Sequence, residues 1–345
     1  MSTKSLDRSP PTTKSAPRCV IFPGALGDFI CFLPALCVLS RANPVLLYAR
    51  GEFADLVPAG VTVRSMECRE IGSLFASNLS LESQSFEPFG AFSAVYSWMG
   101  SQQPVFVDRL QAATDGRAEI FPFCPAAPGE HQMDYYLRCL GISGAPPRAS
   151  TVEIGAEARH WRENFWHQNS LQQKAVLTIA PGSGAREKNW PEEFFIAVAE
   201  WWRNVIGGVA LLLVGPVEME RGGIDRLREH CVTVNELTLA QAAALLSQST
   251  VYLGNDSGIS HLAAATGTRT MALFGPSDPL QWAPRGRAVT VVSRPVHCSP
   301  CSVPAMKSCS ARICLSEISP GDVIAAMCAL PELAGLTRGG VGITV

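Results

Sequence analysis

The stretch CVIFPGALGDFICFLPAL, residues 19–36, decides how the rest of the chain is read. Cys19 to Phe22 form a short apolar run of strand type. A Pro-Gly-Ala-Leu-Gly-Asp loop follows, and then apolar residues recur at helical spacing (Phe29, Phe32, Leu33, Leu36, Leu39). Residues 45–49, VLLYA, read as the next strand. Strand, glycine loop, helix and strand open a βαβ unit, which implies a parallel sheet with helices on its faces.

The same alternation continues along the chain. Residues 94–98 and 118–121 read as strands and 132–140 as a helix. Residues 73–93 are Ser-rich and without period, and 141–150, with Gly144, Pro146 and Pro147, read as an interdomain connection. In the second half, residues 175–180, 209–214, 231–234, 251–253 and 270–274 are short buried strands. Helical patterns at 191–205, 220–230, 239–247 and 258–266 separate them. Pro191 suits a first helical turn because it lacks a donor. The expectation is an α/β chain with a polar tail (residues 1–17), an N-terminal Rossmann-like domain (18–150) and a second doubly wound domain (151–319). The first strand is followed by no GxGxxG, and the chain has no GxxxxGK.

Length and composition agree with two buried cores: 345 residues, 47% hydrophobic and 17% charged. Basic and acidic residues balance in each half, 12 against 13 in residues 1–150 and 16 against 17 beyond, a net charge of -2. That balance argues against coating nucleic acid or anionic membrane by charge alone. No apolar run approaches the ~20 residues of a spanning helix. Residues 19–39 contain Asp28 and two prolines, so they read as core rather than as a leader. The expected location is cytoplasmic.

In open parallel sheets, ligands sit beyond the carboxyl ends of the strands, so the loops there carry the chemistry. In the first, Asp28 stands at a helix start behind Gly24 and Gly27, either as a helix cap or as a general base. In the second, residues 180–191, two glycines with Ser183, Arg186 and Lys188 supply the backbone donors and cations a diphosphate needs. In the third, Gly215 precedes Glu218 and Glu220, which either complement a helix dipole or meet ribose hydroxyls. In the fourth, Asp256, Ser257 and Gly258 open a small-residue helix. Its free N–H groups point at the cleft, with His261 one turn in.

Three blocks, GALGDFICFLPAL, APGSGAREKNWPEEFF and LGNDSGISHLAAATGTRTMALFGPSDPLQWAP, resemble glycosyltransferase family nine, the ADP-heptose:lipopolysaccharide heptosyltransferases, in order and spacing over residues 18–330. The resemblance implies a GT-B fold, two Rossmann-like domains facing across a cleft, with a last helix (320–330) packing back on the N-terminal domain and a tail at 331–345. It implies inverting transfer of heptose from an ADP-sugar to a hydroxyl of the lipopolysaccharide core or a related glycan, with no cofactor and no catalytic metal. Asp28 matches the base, and Gly24 and Gly27 fall on the acceptor side. Ser183, Lys188, Glu218, Asp256, Ser257, Gly258 and His261 match donor-binding positions. Contact with the membrane would be peripheral, at the cytoplasmic face of the inner membrane.

Two departures concern the acceptor. Cys31-Phe32 precedes Leu33-Pro34 where lipid-A-proximal members typically carry His-Thr, and residues 73–93 are poor in Lys and Arg. Other readings of the same residues are a nucleotide-sugar epimerase, a transferase with another donor, or a non-catalytic nucleotide-sugar-binding protein. Among 12 cysteines, Cys298-x2-Cys301-x7-Cys309-x4-Cys314 has zinc-ribbon spacing. Reduced or facultatively bridged thiols in a peripheral loop are preferred to a structural metal there.

Overall fold

The computed structural model describes residues 16–76, 87–142, 149–331 and 333. The expected tail at 1–17, the interdomain connection and the tail at 331–345 therefore lie largely outside the described residues. So do residues 77–86 of the Ser-rich segment, whose described ends fall partly in short helices at Arg69–Phe75 and Glu87–Gly90 rather than in loop. Eleven described strands form two all-parallel sheets. The first contains β1 (Arg18–Ile21), β2 (Val45–Ala49), β3 (Val61–Ser65), β4 (Ala94–Ser97) and β5 (Ala118–Ile120), in the order β3-β2-β1-β4-β5. The second contains β6 (Val176–Ala180), β7 (Val209–Leu213), β8 (Val232–Val234), β9 (Val251–Asn255), β10 (Thr270–Phe274) and β11 (Val289–Ser293). Its order, β11-β10-β9-β6-β7-β8, is the doubly wound dinucleotide-fold order.

The order in which strands are added reverses between β1 and β4 in one sheet and between β6 and β9 in the other. Those two switch points are where a doubly wound sheet opens a crevice. The strands flanking the second are buried along their whole length. Such strands read as continuous apolar runs because helices cover both faces.

Fifteen described α-helices accompany these sheets, and ten of them bear on the site. On the N-terminal side are α1 (Leu26–Ala42), α2 (Pro104–Ala113) and α3 (Gln132–Cys139). On the C-terminal side are α4 (Ala156–Gln168), α5 (Glu192–Trp201), α6 (Pro216–Arg221), α7 (Leu239–Gln248), α8 (Gly258–Ala265), α9 (Pro279–Trp282) and α10 (Pro320–Cys328). Pro34 lies inside α1, which remains one 17-residue helix. The expected helix over 191–205 ends as α5 at Trp201 and continues as a π turn to Ile206, closed by Gly207 at φ 71°. The expected helix over 220–230 is two short helices, parted at Gly222 and Gly223, both at positive φ.

One apolar core crosses the domain boundary. Phe29, Phe32, Leu33 and Leu36 of α1 share it with Ala242, Ala243 and Leu246 of α7 and with Leu262, Ala263 and Ala265 of α8. The final helix corrects an expectation: α10 does not pack back on the N-terminal domain. Val323 and Met327, four residues apart and so on one face, lie in the C-terminal core with Trp190, Phe195, Leu315 and Ile318. Ser319 caps α10 and Arg294 pairs with Asp322, which fixes the helix on its own domain.

Candidate active site

The two helices that begin at the switch points, α1 and α8, meet end against end. A Cβ on Gly258 would lie 2.8 Å from Leu26 Cβ and 2.9 Å from the Gly27 nitrogen. A Cβ on Gly27 would lie 3.2 Å from the His261 ring. Glycine at both positions is what allows this approach. Gly27 therefore lies against the C-terminal domain, and Gly24 packs against the Phe22 ring and Asp28 Cβ.

Asp28 is half-buried in the first turn of α1, and its Oδ2 accepts the Ala25 N–H at 3.0 Å. It is thus not the N-cap, which is Ala25, but reaches back to it. Burial raises the Asp28 pKa, with the Ala25 N–H opposing. Lys188 and Arg50 lower it and Asp256 raises it. A carboxylate that is partly desolvated yet within the field of a cation is suited to accepting a proton.

Across the junction, Lys188 Nζ donates to Asp256 Oδ2 at 2.7 Å, with Asp256 buried. These residues come from the loops after β6 and β9, the two strands that flank the C-terminal switch point. The loops are tied together at a second place by Asn255. Its Oδ1 accepts the Trp190 N–H at 3.0 Å and its Nδ2 donates to the Pro181 carbonyl at 2.6 Å. The Ser183 hydroxyl lies 2.6 Å from both the Ala185 carbonyl and Asn189 Oδ1, so it braces this loop from within. Ser257 is the N-cap of α8, its hydroxyl 3.3 Å from that of Ser260.

The structure separates the two acids after Gly215. Glu218 is half-buried, its Oε2 accepts the Gly215 N–H at 2.7 Å, and its Oε1 lies where a Cβ on Gly182 would fall, 1.3 Å away. Glu220 is exposed. Glu218 lines a cavity of about 60 Å³ with Gly182, Arg186, Trp190 and Arg221, which adjoins an outer groove of about 500 Å³. Neither Asp28 nor Asp256 lines that cavity, so it belongs to the end of the site remote from the two helix starts.

His261 lies one turn into α8. Its ring is buried, with Nδ1 3.5 Å from Cys31 Sγ and a hydrogen bond to the Trp282 backbone. Burial pushes its pKa down to about 4, so the ring is neutral near pH 7. It is packed where α1 meets α8, beside Gly27 and within the field of Asp256 and Lys188. Cys31 and Phe32 are absorbed the same way, Cys31 against His261 and Phe32 stacked on Phe22 at 4.4 Å.

Cys298, Cys301, Cys309 and Cys314 gather at the edge of the C-terminal domain. Burial is the main cause of the raised pKa values of Cys301 and Cys314; Cys298 and Cys309 add to it at Cys301, and all three other thiols add to it at Cys314. Among the described residues, no group of three or more His, Cys, Asp or Glu side chains stands ready to hold a metal ion.

With this geometry in view, the sequence pattern of glycosyltransferase family 9 (heptosyltransferase) matches residues 145–309. The chain carries a glycosyltransferase family 9 domain. Lipooligosaccharide heptosyltransferase 2 of Haemophilus influenzae is 28% identical over 151 residues, 41% of this chain and 43% of that protein. The matched part is thus under half the length of that relative. A glycosyl transferase family 9 structure from Veillonella parvula superposes with a TM-score of 0.71 at 20% identity, over 94% of this chain and 98% of that one. The Escherichia coli ADP-heptose lps heptosyltransferase II does so with 0.66 at 17%, over 93% and 98%. The family 9 domain and its N-terminal partner together form a GT-B fold.

Proposed function

We propose that this chain is an inverting glycosyltransferase that moves a heptose from ADP-heptose to a hydroxyl of the lipopolysaccharide core or a related glycan. The observation that carries the reading is the Lys188–Asp256 pair, which stands within the electrostatic field of Asp28 at the meeting of the two helix starts. Inversion in one displacement needs a base on one side of the anomeric carbon and a stabilised leaving diphosphate on the other. Asp28 takes the acceptor proton. Lys188, Ser257 and the first N–H groups of α8 receive the diphosphate, and Ser183 holds their loop.

Asp256 holds the Lys188 ammonium in place until phosphate oxygens share it. Glu218, at the rim of the small cavity, accepts from the nucleoside hydroxyls. The reaction is placed in the cytoplasm, with acceptor reached at the inner membrane face. Among the described residues no helix is long and apolar enough to cross a membrane.

The test is ADP release on mixing protein, ADP-heptose and a heptose-deficient lipopolysaccharide core, with the linkage checked by mass spectrometry and anomeric NMR. Acceptor-dependent release with an inverted anomeric centre is the expected result. Conversion of ADP-heptose to another nucleotide sugar without acceptor, or donor binding without turnover, would overturn the reading.

A further inference from the structure

One short segment of the C-terminal domain bonds to both sides of the domain junction. It begins at the end of α9 and runs from Trp282 to Arg285. The Trp282 backbone meets the His261 ring on α8. The Ala283 carbonyl accepts from His131 Nε2 at 2.8 Å. Arg285 Nη1 and Nη2 reach Asp134 Oδ1 and Oδ2 at 2.6 and 2.8 Å, a two-pronged ion pair. His131 is the N-cap of α3 and Asp134 lies in its first turn, so both partners belong to the acceptor domain.

His131 is held in one protonation state by its neighbours. Its Nδ1 accepts the Met133 N–H at 3.1 Å, which leaves the proton on Nε2 for the Ala283 carbonyl. Burial lowers its pKa, in keeping with a neutral ring.

The apolar core between α1, α7 and α8 joins the domains, but apolar contact is non-directional and tolerates small rotations. A planar guanidinium on a carboxylate fixes direction as well as distance. We propose that residues 282–285 are an interdomain strap that sets the alignment of Asp28 with the Lys188–Asp256 pair. Arg285, Asp134 and His131 are then positioning residues for transfer, although none of them touches the diphosphate site. This rests on the glycosyl-transfer reading. His261 joins the strap to α8, the helix whose first N–H groups face the donor, and α1 lies against that same helix. A slip at the strap moves the base relative to the leaving group, and a displacement of about 1 Å between reacting groups can lower a rate on the order of 10²-fold.

The experiment uses the full chain and four variants: Arg285→Ala, Arg285→Lys, His131→Ala and the exchange Asp134→Arg with Arg285→Asp. Steady-state rates are read with ADP-heptose and core acceptor, ADP binding by calorimetry, and overall dimensions by small-angle X-ray scattering. Arg285→Ala and His131→Ala should lower kcat by about 10- to 100-fold while ADP affinity stays within about twofold. Their radius of gyration should rise with secondary structure unchanged. Arg285→Lys, which keeps the charge but loses the fork, should fall between, and the exchange should recover part of the rate. Wild-type kcat in Arg285→Ala, or equal loss of ADP affinity and kcat, would overturn the strap. Absence of transfer in the wild type would instead overturn the glycosyl-transfer reading, with the scattering comparison still deciding whether the strap orients the domains.

Discussion

The two switch points are built differently. In the C-terminal sheet the strand-end loops are bonded to one another: Lys188 to Asp256, Asn255 to both Trp190 and Pro181, and Glu218 seated against Gly182. In the N-terminal sheet, among the described residues, Asp28 is hydrogen-bonded by the backbone of its own loop, with Arg50 exposed nearby. A site whose walls are bonded together before binding loses little entropy when its ligand arrives, and it discriminates sharply. A sparse face around one carboxylate leaves ligand choice to shape. On the proposed transfer reading, one fold can therefore keep a fixed donor while acceptors change.

The sharpest way to break this comparison is Asp28→Asn. If the acceptor side depends on that one group, transfer should fall on the order of 10²- to 10⁴-fold while ADP affinity is unchanged. Normal turnover would remove Asp28 from the chemistry. Lys188→Ala should come next, with a loss of about 2–4 kcal/mol of transition-state stabilisation and weaker ADP binding, both measurable by kinetics and calorimetry. It also strands the buried Asp256 carboxylate, so thermal stability should fall too. Retained ADP affinity would show that the donor loops are bonded for folding alone.

Gly182→Ala tests the remote end. The new methyl must displace Glu218, so the KM for donor should rise by roughly tenfold with the acceptor KM unmoved.

The smallest effect sharpens the electrostatics. Burial holds the folded-state pKa of Asp28 above the ordinary carboxylate value, so its contribution to stability is present at low pH and lost as pH rises through the folded value. Asp28→Asn cannot ionise and keeps an oxygen for the Ala25 N–H. Near pH 7 it should leave Tm unchanged or raise it on the order of 1 °C. The wild-type rate should decline on acidification at a higher pH than an exposed carboxylate would dictate.

Much of this architecture was readable because buried parallel strands are continuous apolar runs and glycine loops mark their ends. β6, β9 and β10 stand where the sequence pattern places them. The strands it leaves unmarked, β3 and β11, lie at sheet edges, half exposed, where the apolar signal is weak. Helices α2 and α4 were also silent, because their buried residues are few among polar neighbours.

Within the site, the residue types at strand ends were legible one loop at a time. Pairings across 68 residues, as for Lys188 and Asp256, were not, because they depend on how the sheet brings two loops together. The burial of His261 by Cys31 and Trp282 likewise belongs to the junction between domains. The strap at 282–285 was hidden for the same reason: Arg285 and Asp134 are ordinary charges until the domains meet.

The core that runs through α1, α7 and α8 also limits how such proteins can diversify. Its members from both halves form a single packed unit, so neither half is an interchangeable cassette. A chimera taking its donor half from a distant relative would expose or overfill the face of α1, and it would fold only if that face travelled with it. On the proposed reading, new acceptors are then reached by changing the strand-end loops of the N-terminal sheet, while the helices beneath them are inherited together.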